Sequence, residues 1–425
     1  MPSNFAARLA WGIQIGTLAV LGLALGPTTT GDSSHYLALA RALRERGEFG
    51  LPFAGAFESE GWRQPGYPLF LAVVQAFFGT DNPWPVVLIQ ATLVLASVWL
   101  VHHGTQREFG PRAGLVFLWL SAAYPFVLAH AFLVSPEAVA ALVVALGVLL
   151  LGQPTPGRAL AAGLLLGSAT YLRPNILPLS GVLALALVAC NRRHAPAALG
   201  LVAGAALVLA PWILRNHGAF GAATPLPPVA GFGRVLLIAT WQGRVDQEAI
   251  TAYTSGHVTE GMAQSGLLEQ ARAVNETIGA APDTILGTGS YAGNRLKARA
   301  DRELRATALR NIRDRPLLYA RTVGENLARL WFSYRFPKPV PPALRLLLVA
   351  EGILALVAGV AGVCIALRRD RPGVVVAAAT LGFFAASLCW FQTEARYTIP
   401  ARLWLLSFAA VALTRRPRLR RQRGG

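Results

Sequence analysis

Two acids and four arginines stand out because each lies at the margin of an apolar run. Asp32 follows the run 9–25, and Glu137 closes Leu133-Val134-Ser135-Pro136-Glu137 at the head of another. Arg63, Arg173, Arg215 and Arg396 occupy similar margins. A carboxylate placed there can act as a general base, and guanidinium groups suit an oxygen that gains negative charge. Each residue also has an ordinary explanation. Asp is a favoured helix cap, an acid in a first turn meets the helix dipole, and an arginine at a span end snorkels. In GDSSHYLALARAL, Asp32, Ser33 or Ser34 suits an N-cap, with Tyr36, Leu39, Ala40 and Leu43 sharing one helical face. At Glu137, Ser135 would cap and Pro136 take the first turn. Gathered on one face, the two acids and the arginines point to a site for an anionic, lipid-borne substrate.

The elements that position them are set by composition. The 425 residues are 54% hydrophobic and 14% charged, against about 25% charged in soluble domains. Ten apolar runs approach the length that crosses roughly 30 Å of hydrocarbon: 9–26, 84–103, 113–132, 136–152, 159–173, 175–190, 197–213, 345–367, 374–391 and 399–413. This predicts an all-α polytopic membrane protein. If the spans alternate, HHGTQREFGPR, TPGR, NRRHAP, LRRDRPG and the basic tail 414–425 fall on one side, which the positive-inside rule makes the cytoplasm. Both termini then lie inside. The net charge of +18 is met by anionic lipid, and no nucleic-acid module is visible.

The other side receives 27–83, the turn near 133–137, YLRPN, the long segment 214–344 and QTEARY. Four regions follow: a transmembrane region 1–213 with outer loop 27–83, a loop segment 214–344 with amphipathic helices, C-terminal helices 345–413 and the tail. GYPLFLAVVQAFFG (66–79) is too short for a span and fits a re-entrant or interfacial segment. Residues 246–294 are polar and Gly- and Ser-rich. In 297–332, Leu304, Ala308, Ile312, Leu327 and Leu330 recur at helical spacing, and Pro316 suits the first turn of a second helix. Cys190, Cys364 and Cys389 are scattered through apolar runs and form no disulfide or zinc pattern. Walker, dinucleotide and zinc-protease motifs are lacking. A divalent ion on Asp32 and Glu137 fits hard-cation chemistry, but no metal or other cofactor is expected.

At this point the sequence resembles a family. GDSSHYLALARAL, RQPGYPLFLAVVQAFFG, LVSPEAVAALVVALGVLLL, GLLLGSATYLRPNILPL, PWILRNHGAFG, the helix pair ending NLARLWF, and ARYTIPARLWLL resemble, in order, the polyprenyl-phosphate-sugar-dependent glycosyltransferases of the C-type membrane fold. That family includes lipid A aminoarabinose transferases and protein O-mannosyltransferases. The resemblance implies that Asp32, with Tyr36 four residues on, is the catalytic base. It implies that Arg63 holds the donor phosphate, although Gln64-Pro65 replaces the family's two prolines, and that Glu137 shares the site. Arg215 and Arg396 match recurrent positions assigned here to the donor phosphate, and Arg173 and Tyr397 positions assigned to support. The implied partners are a polyprenyl-phosphate-linked sugar donor, a periplasmic acceptor (lipid, glycan or protein) and membrane lipid. The Ala, Arg and Gly content suggests a GC-rich bacterial genome, hence an inner membrane with a periplasmic active face. A transporter or flippase for a polyprenyl-linked sugar is the alternative, although transporters favour mid-bilayer sites and repeated halves. A non-catalytic assembly or sensor protein, with 214–344 as its binding module, is a third reading.

Overall fold

The computed structural model describes residues 2–53, 56–80, 82–229, 232–242, 244–245, 249–250, 260–278, 294–332, 342–369, 371–391 and 394–415. In order run α1 (Pro2–Leu25), α2 (Gly31–Arg46), β1 (Gly50–Phe53), β2 (Ala56–Ser59), α3 (Gly66–Phe78), α4 (Trp84–Phe109), α5 (Pro111–Ala122), α6 (Pro125–Ala129), α7 (Glu137–Leu151), α8 (Pro156–Leu172), α9 (Leu179–Cys190) and α10 (Ala195–Phe220). They are followed by α11 (Phe232–Trp241), α12 (Glu260–Gln264), α13 (Leu267–Ile278), α14 (Asn294–Asp314), α15 (Pro316–Phe332), α16 (Pro342–Ala366), α17 (Pro372–Leu388) and α18 (Ile399–Thr414). Most of the basic tail and of the polar stretch 246–294 lies outside the described residues.

All ten apolar runs form helix. Five are long and apolar enough to cross a bilayer: Phe5–Leu25, Trp84–Phe109, Arg192–Phe220, Arg345–Arg369 and Ala395–Thr414. The chain is a multi-pass membrane protein. α7, α8, α9 and α17 have 15, 17, 12 and 17 residues, so length and composition do not carry the count to ten. The run 113–132 is broken: α5 and the segment Pro125–Phe132 meet at 59°. Pro125 lacks an N–H and crowds the residue before it. α3, at 13 residues, covers about 20 Å. It buries Tyr67, Leu71 and Val74 and exposes Leu69, Val73 and Phe77, so it is apolar on both faces yet short.

The described residues are all-α as expected, apart from one two-stranded hairpin between α2 and α3. β1 and β2 pair antiparallel, Gly50 opposite Ser59 and Phe53 opposite Ala56. Gly47 ends α2 in the left-handed region at φ 68°, its N–H bonded to Leu43 O, and the chain leaves extended. A Cβ on Gly50 would meet Glu58 O at 2.2 Å, so the close pairing needs glycine there.

α18 is the post of the bundle, buried along almost its whole length and packed on α4, α5, α7, α16 and α17. It also buries Arg402. That guanidinium donates to Thr398 Oγ1 at 2.8 Å, to the carbonyls of Leu330 and Trp331 at 2.9 and 3.1 Å, and to the Tyr124 hydroxyl. Those two carbonyls lie at the C-terminus of α15, where a cation is favoured. Within 232–312 a second core forms from Trp241, Ile250, Met262, Leu267, Leu304 and Ala308. Leu304, Ala308 and Leu330 are buried as their spacing predicts and Pro316 opens α15, but Leu327 is 43% exposed.

α8 and α10 approach through facing glycines, Gly163 and Gly167 on one helix and Gly200 and Gly204 on the other. Small residues four apart permit such contact between membrane helices. A Cβ on Gly204 would lie 2.2 Å from Leu160 O, whereas one on Gly181 meets open space. Gly204→Ala should therefore lower the melting temperature of the detergent-solubilised protein by several degrees, an overpacking cost of about 1–3 kcal/mol. Gly181→Ala should leave it unchanged. Equal melting temperatures for the two variants would refute the close approach.

Candidate active site

The two acid-bearing loops are sewn together by backbone. Gly26, at φ 61°, turns the chain out of α1. Thr28 N–H then donates to Phe132 O at 2.8 Å, and Val134 N–H to Thr28 O at 2.9 Å. Below this bridge Gln90 donates to the carbonyls of Ala131 and Leu133, both at 2.8 Å, and accepts from the Tyr67 hydroxyl at 2.7 Å.

This stitching decides what Asp32 does. Thr30, not Asp32, Ser33 or Ser34, is the N-cap of α2. Thr30 N–H donates to Ser33 Oγ at 2.9 Å, and Ser33 Oγ donates to Val134 O at 2.7 Å. With capping handled by its neighbours, the Asp32 carboxylate turns to Arg63 and Arg396. Glu137 follows a similar course. The expected cap, Ser135, has no hydrogen-bond partner for its hydroxyl among the described residues, and Pro136 holds the N-cap position of α7.

The charged cluster draws on four distant parts of the chain. Arg63 NH2 lies 2.5 Å from Asp32 Oδ1 and Arg396 NH2 3.3 Å from Asp32 Oδ2. Arg396 Nε is 2.6 Å from Glu394 Oε2 and 3.7 Å from Glu137 Oε1. Arg173 pairs with the same Glu137 oxygen and stacks on the Tyr397 ring at 4.6 Å. Arg63 lies over Trp62 at 4.3 Å and Tyr36 at 5.3 Å. The structure thus gathers Asp32, Glu137, Arg63, Arg173, Arg396, Tyr36 and Tyr397. Arg215 stands apart from them. Its guanidinium donates to Glu60 O at 2.7 Å, Asn216 Oδ1 at 3.0 Å and Phe49 O at 3.3 Å, so it clasps the residues flanking the hairpin.

Three further residues complete the setting. Glu394 lies two positions before Arg396, in a stretch whose Arg and Tyr alone drew notice. Glu60 Oε1 accepts the backbone N–H of Arg63 at 2.8 Å and of Trp62 at 2.5 Å, while Glu60 Oε2 meets His35 Nε2 at 2.9 Å. This buried pair fixes the turn that aims Arg63. The available signal was Glu60 three positions before Arg63, the spacing of a local side-chain turn. His35 gave none, because a histidine beside the apolar face of a helix is unremarkable until its partner is known.

Burial alone would raise the Asp32 pKa. Arg63, Arg396 and Arg173 outweigh it, helped by the Arg63 hydrogen bond, and hold the carboxylate well below its usual range. Burial likewise opposes ionisation of Glu60, and the His35 contact and the two N–H donors lower its pKa. Donor capacity remains: among the described residues Arg63 Nε and Arg173 Nε are buried without hydrogen-bond partners. An unmet buried donor costs about 1–3 kcal/mol, which an anionic oxygen would recover. The cluster can hold such an oxygen beside a carboxylate able to accept a proton.

No family model and no curated protein sequence matches the chain. Among solved structures, the chain is similar to AglB, the oligosaccharyltransferase of Archaeoglobus fulgidus, in complex with an inhibitory peptide and a dolichol-phosphate. There identity is 12% over 95% of this chain and 50% of that one, with a TM-score of 0.53. The apo form gives 12% identity, 97% and 50% coverage and a TM-score of 0.54. ArnT from Cupriavidus metallidurans bound to undecaprenyl phosphate is 16% identical over 94% of this chain and 77% of that one, with a TM-score of 0.42. The chain spans about half the length of AglB, and over that half the two share a fold.

Proposed function

We propose that this chain is an inverting, membrane-embedded glycosyltransferase that moves a sugar from a polyprenyl-phosphate donor to an acceptor on the non-cytoplasmic face. One observation carries the reading: the Asp32 carboxylate held between Arg63 and Arg396 at 2.5 and 3.3 Å. The fold shared with an oligosaccharyltransferase described in complex with a dolichol-phosphate supports it. So does the exposed apolar face of α3, directly after Arg63, along which a prenyl chain would lie.

In this reading the donor phosphate takes up Arg63 and Arg396. Asp32, released, accepts the proton of the acceptor hydroxyl or amine. The acceptor atom bonds to the anomeric carbon as the bond from that carbon to the phosphate oxygen breaks, which inverts the centre. The departing phosphate gains charge that the guanidinium groups stabilise. Glu137 orients Arg173 and Arg396, which rest on Tyr397, Arg63 rests on Tyr36, and Arg215 acts by holding the hairpin region. Three acids, Asp32, Glu137 and Glu394, already face three arginines, so the mechanism is proposed without a metal. Ten spans, a periplasmic 214–344 and cytoplasmic termini in a bacterial inner membrane complete the proposal. They rest on the basic short connections and on helix in all ten runs.

With detergent-purified protein and short-chain polyprenyl-phosphate sugars, Asp32→Asn should cut sugar transfer by about 10²–10⁴-fold at normal expression. Arg63→Ala should raise the donor KM, and a chelator should change nothing. An active Asp32→Asn protein would remove the base assignment, and translocation without consumption would favour a transporter. The pH profile is a second test. In the free protein Asp32 is held ionised below the usual carboxylate range, so kcat/KM should persist as pH falls through 5. Once donor draws the arginines away the Asp32 pKa rises, and kcat should fall at higher pH than kcat/KM does. Coincident acid limbs would contradict the exchange of partners.

A further inference from the structure

Away from the charged cluster, a polar cavity of about 190 Å³ opens where α11, α13, α14 and α15 meet. The cavity beside Glu137 and Arg173 holds about 10 Å³. The larger one falls below the roughly 300–1,000 Å³ of sites for drug-sized ligands, a scale suited to one sugar ring. Its wall is a prepared hydrogen-bonding surface. Trp241 Nε1 donates to Gln270 Oε1 at 2.9 Å, Gln270 Nε2 to Asn311 Oδ1 at 3.0 Å, and Asn311 Nδ2 to Thr240 Oγ1 at 2.9 Å. This chain fixes which way each amide points.

Arg244 and Arg315 also line the cavity, and neither pairs with a carboxylate among the described residues. Among the described residues Arg244 NH2 donates to Ser265 O at 2.7 Å. Both arginines line one cavity, and burial first, then the charge of Arg315, lower the Arg244 pKa. Asp314, exposed, also lines the cavity. Two guanidinium groups that repel each other are relieved by an anion. The hydroxyls and amides beside them match a polyhydroxylated ring.

The cavity is tied to the charged cluster. Tyr319 in its wall donates through its hydroxyl to Trp390 O at 2.6 Å. Six residues further along the chain is Arg396, paired with Asp32. Six residues reach at most about 22 Å, so one extended acceptor could touch both places. We propose that this cavity is a binding subsite for an anionic, phosphate-bearing sugar unit, held by Arg244 and Arg315 and read by Thr240, Gln270, Asn311 and Tyr319. Its role as the acceptor subsite rests on the glycosyltransferase reading; its binding of ligand does not.

The test is calorimetric titration of the detergent-purified full chain with glucose 6-phosphate, inorganic phosphate and glucose. Glucose 6-phosphate should bind saturably and more tightly than phosphate, and glucose should not bind. Arg244→Gln and Arg315→Gln should each weaken binding at least tenfold. Arg321→Gln, an exposed arginine of α15 outside the cavity, should have no effect. Arg315 is on the surface, so its replacement leaves folding intact and the comparison interpretable. No saturable binding, glucose or phosphate binding as tightly as the sugar phosphate, or indifference to both substitutions would overturn the proposal. In a transfer assay Arg315→Gln should raise the acceptor KM and leave the donor KM alone. A protein that binds glucose 6-phosphate through both arginines yet consumes no donor would defeat the enzyme reading and leave the subsite standing.

Discussion

Charge removed from water must be neutralised by other charge, and the architecture around Asp32 follows from that requirement. Glu137 is 1% exposed, a condition a carboxylate tolerates only when paired. Its partners come from the end of α8 and the start of α18, by way of Arg173 and Arg396. Arg396 also reaches Asp32, 364 residues away in sequence. The first loop, the head of α7 and the approach to α18 therefore form one unit. The backbone bridge at Thr28 and the buried Gln90 fix where that unit sits on the bundle.

The bundle supplies rigidity through a second buried charge. Arg402 lies one turn into α18 and ties Thr398 to the end of α15 and to Tyr124. Thr398 closes the short turn Ala395–Thr398 that carries Arg396 and Tyr397. The arginine that touches Asp32 is thus mounted on a helix clamped by another arginine with no free face. Asn326 adds to the clamp by donating to the carbonyls of Cys389 and Phe391, both at 3.1 Å. Cys389, Trp390 and Phe391 after α17, and Thr398 before α18, are all bonded to α15.

What the sequence made legible followed patterns that tertiary contacts reinforce. The apolar runs became helices, Pro316 opened α15, and Tyr36, Leu39 and Ala40 turned inward as their spacing required. Asp32 was harder, because Thr, Ser and Asp are all good caps. The choice of Thr30 was made by Ser33 bonding Val134, a contact across 101 residues. The hairpin escaped because its strands have four residues each, too few for a periodic signal. Glu60 and His35 were invisible as a pair until the fold brought them together. The glycines of α8 and α10 were legible in principle: each helix carries two glycines four apart, a pattern overlooked under the stronger signal of hydrophobicity.

The resting cluster poses an energetic question that its composition answers. A base flanked by two guanidinium groups is a weak base, and arginines that neutralise it are not free for a phosphate. Removing those contacts outright would leave the part-buried Arg63 guanidinium without its carboxylate partner. In the proposed reaction one anion replaces another, so that Arg63 and Arg396 keep an oxyanion partner throughout. In that proposal the carboxylate loses the cations that suppressed its basicity when an acceptor must be deprotonated. In the same proposal Arg173 remains on Glu137, so that a third guanidinium stays close while the other two change partners. A cluster balanced by internal ion pairs can in this way wait, folded and neutral, for the anion that rearranges it.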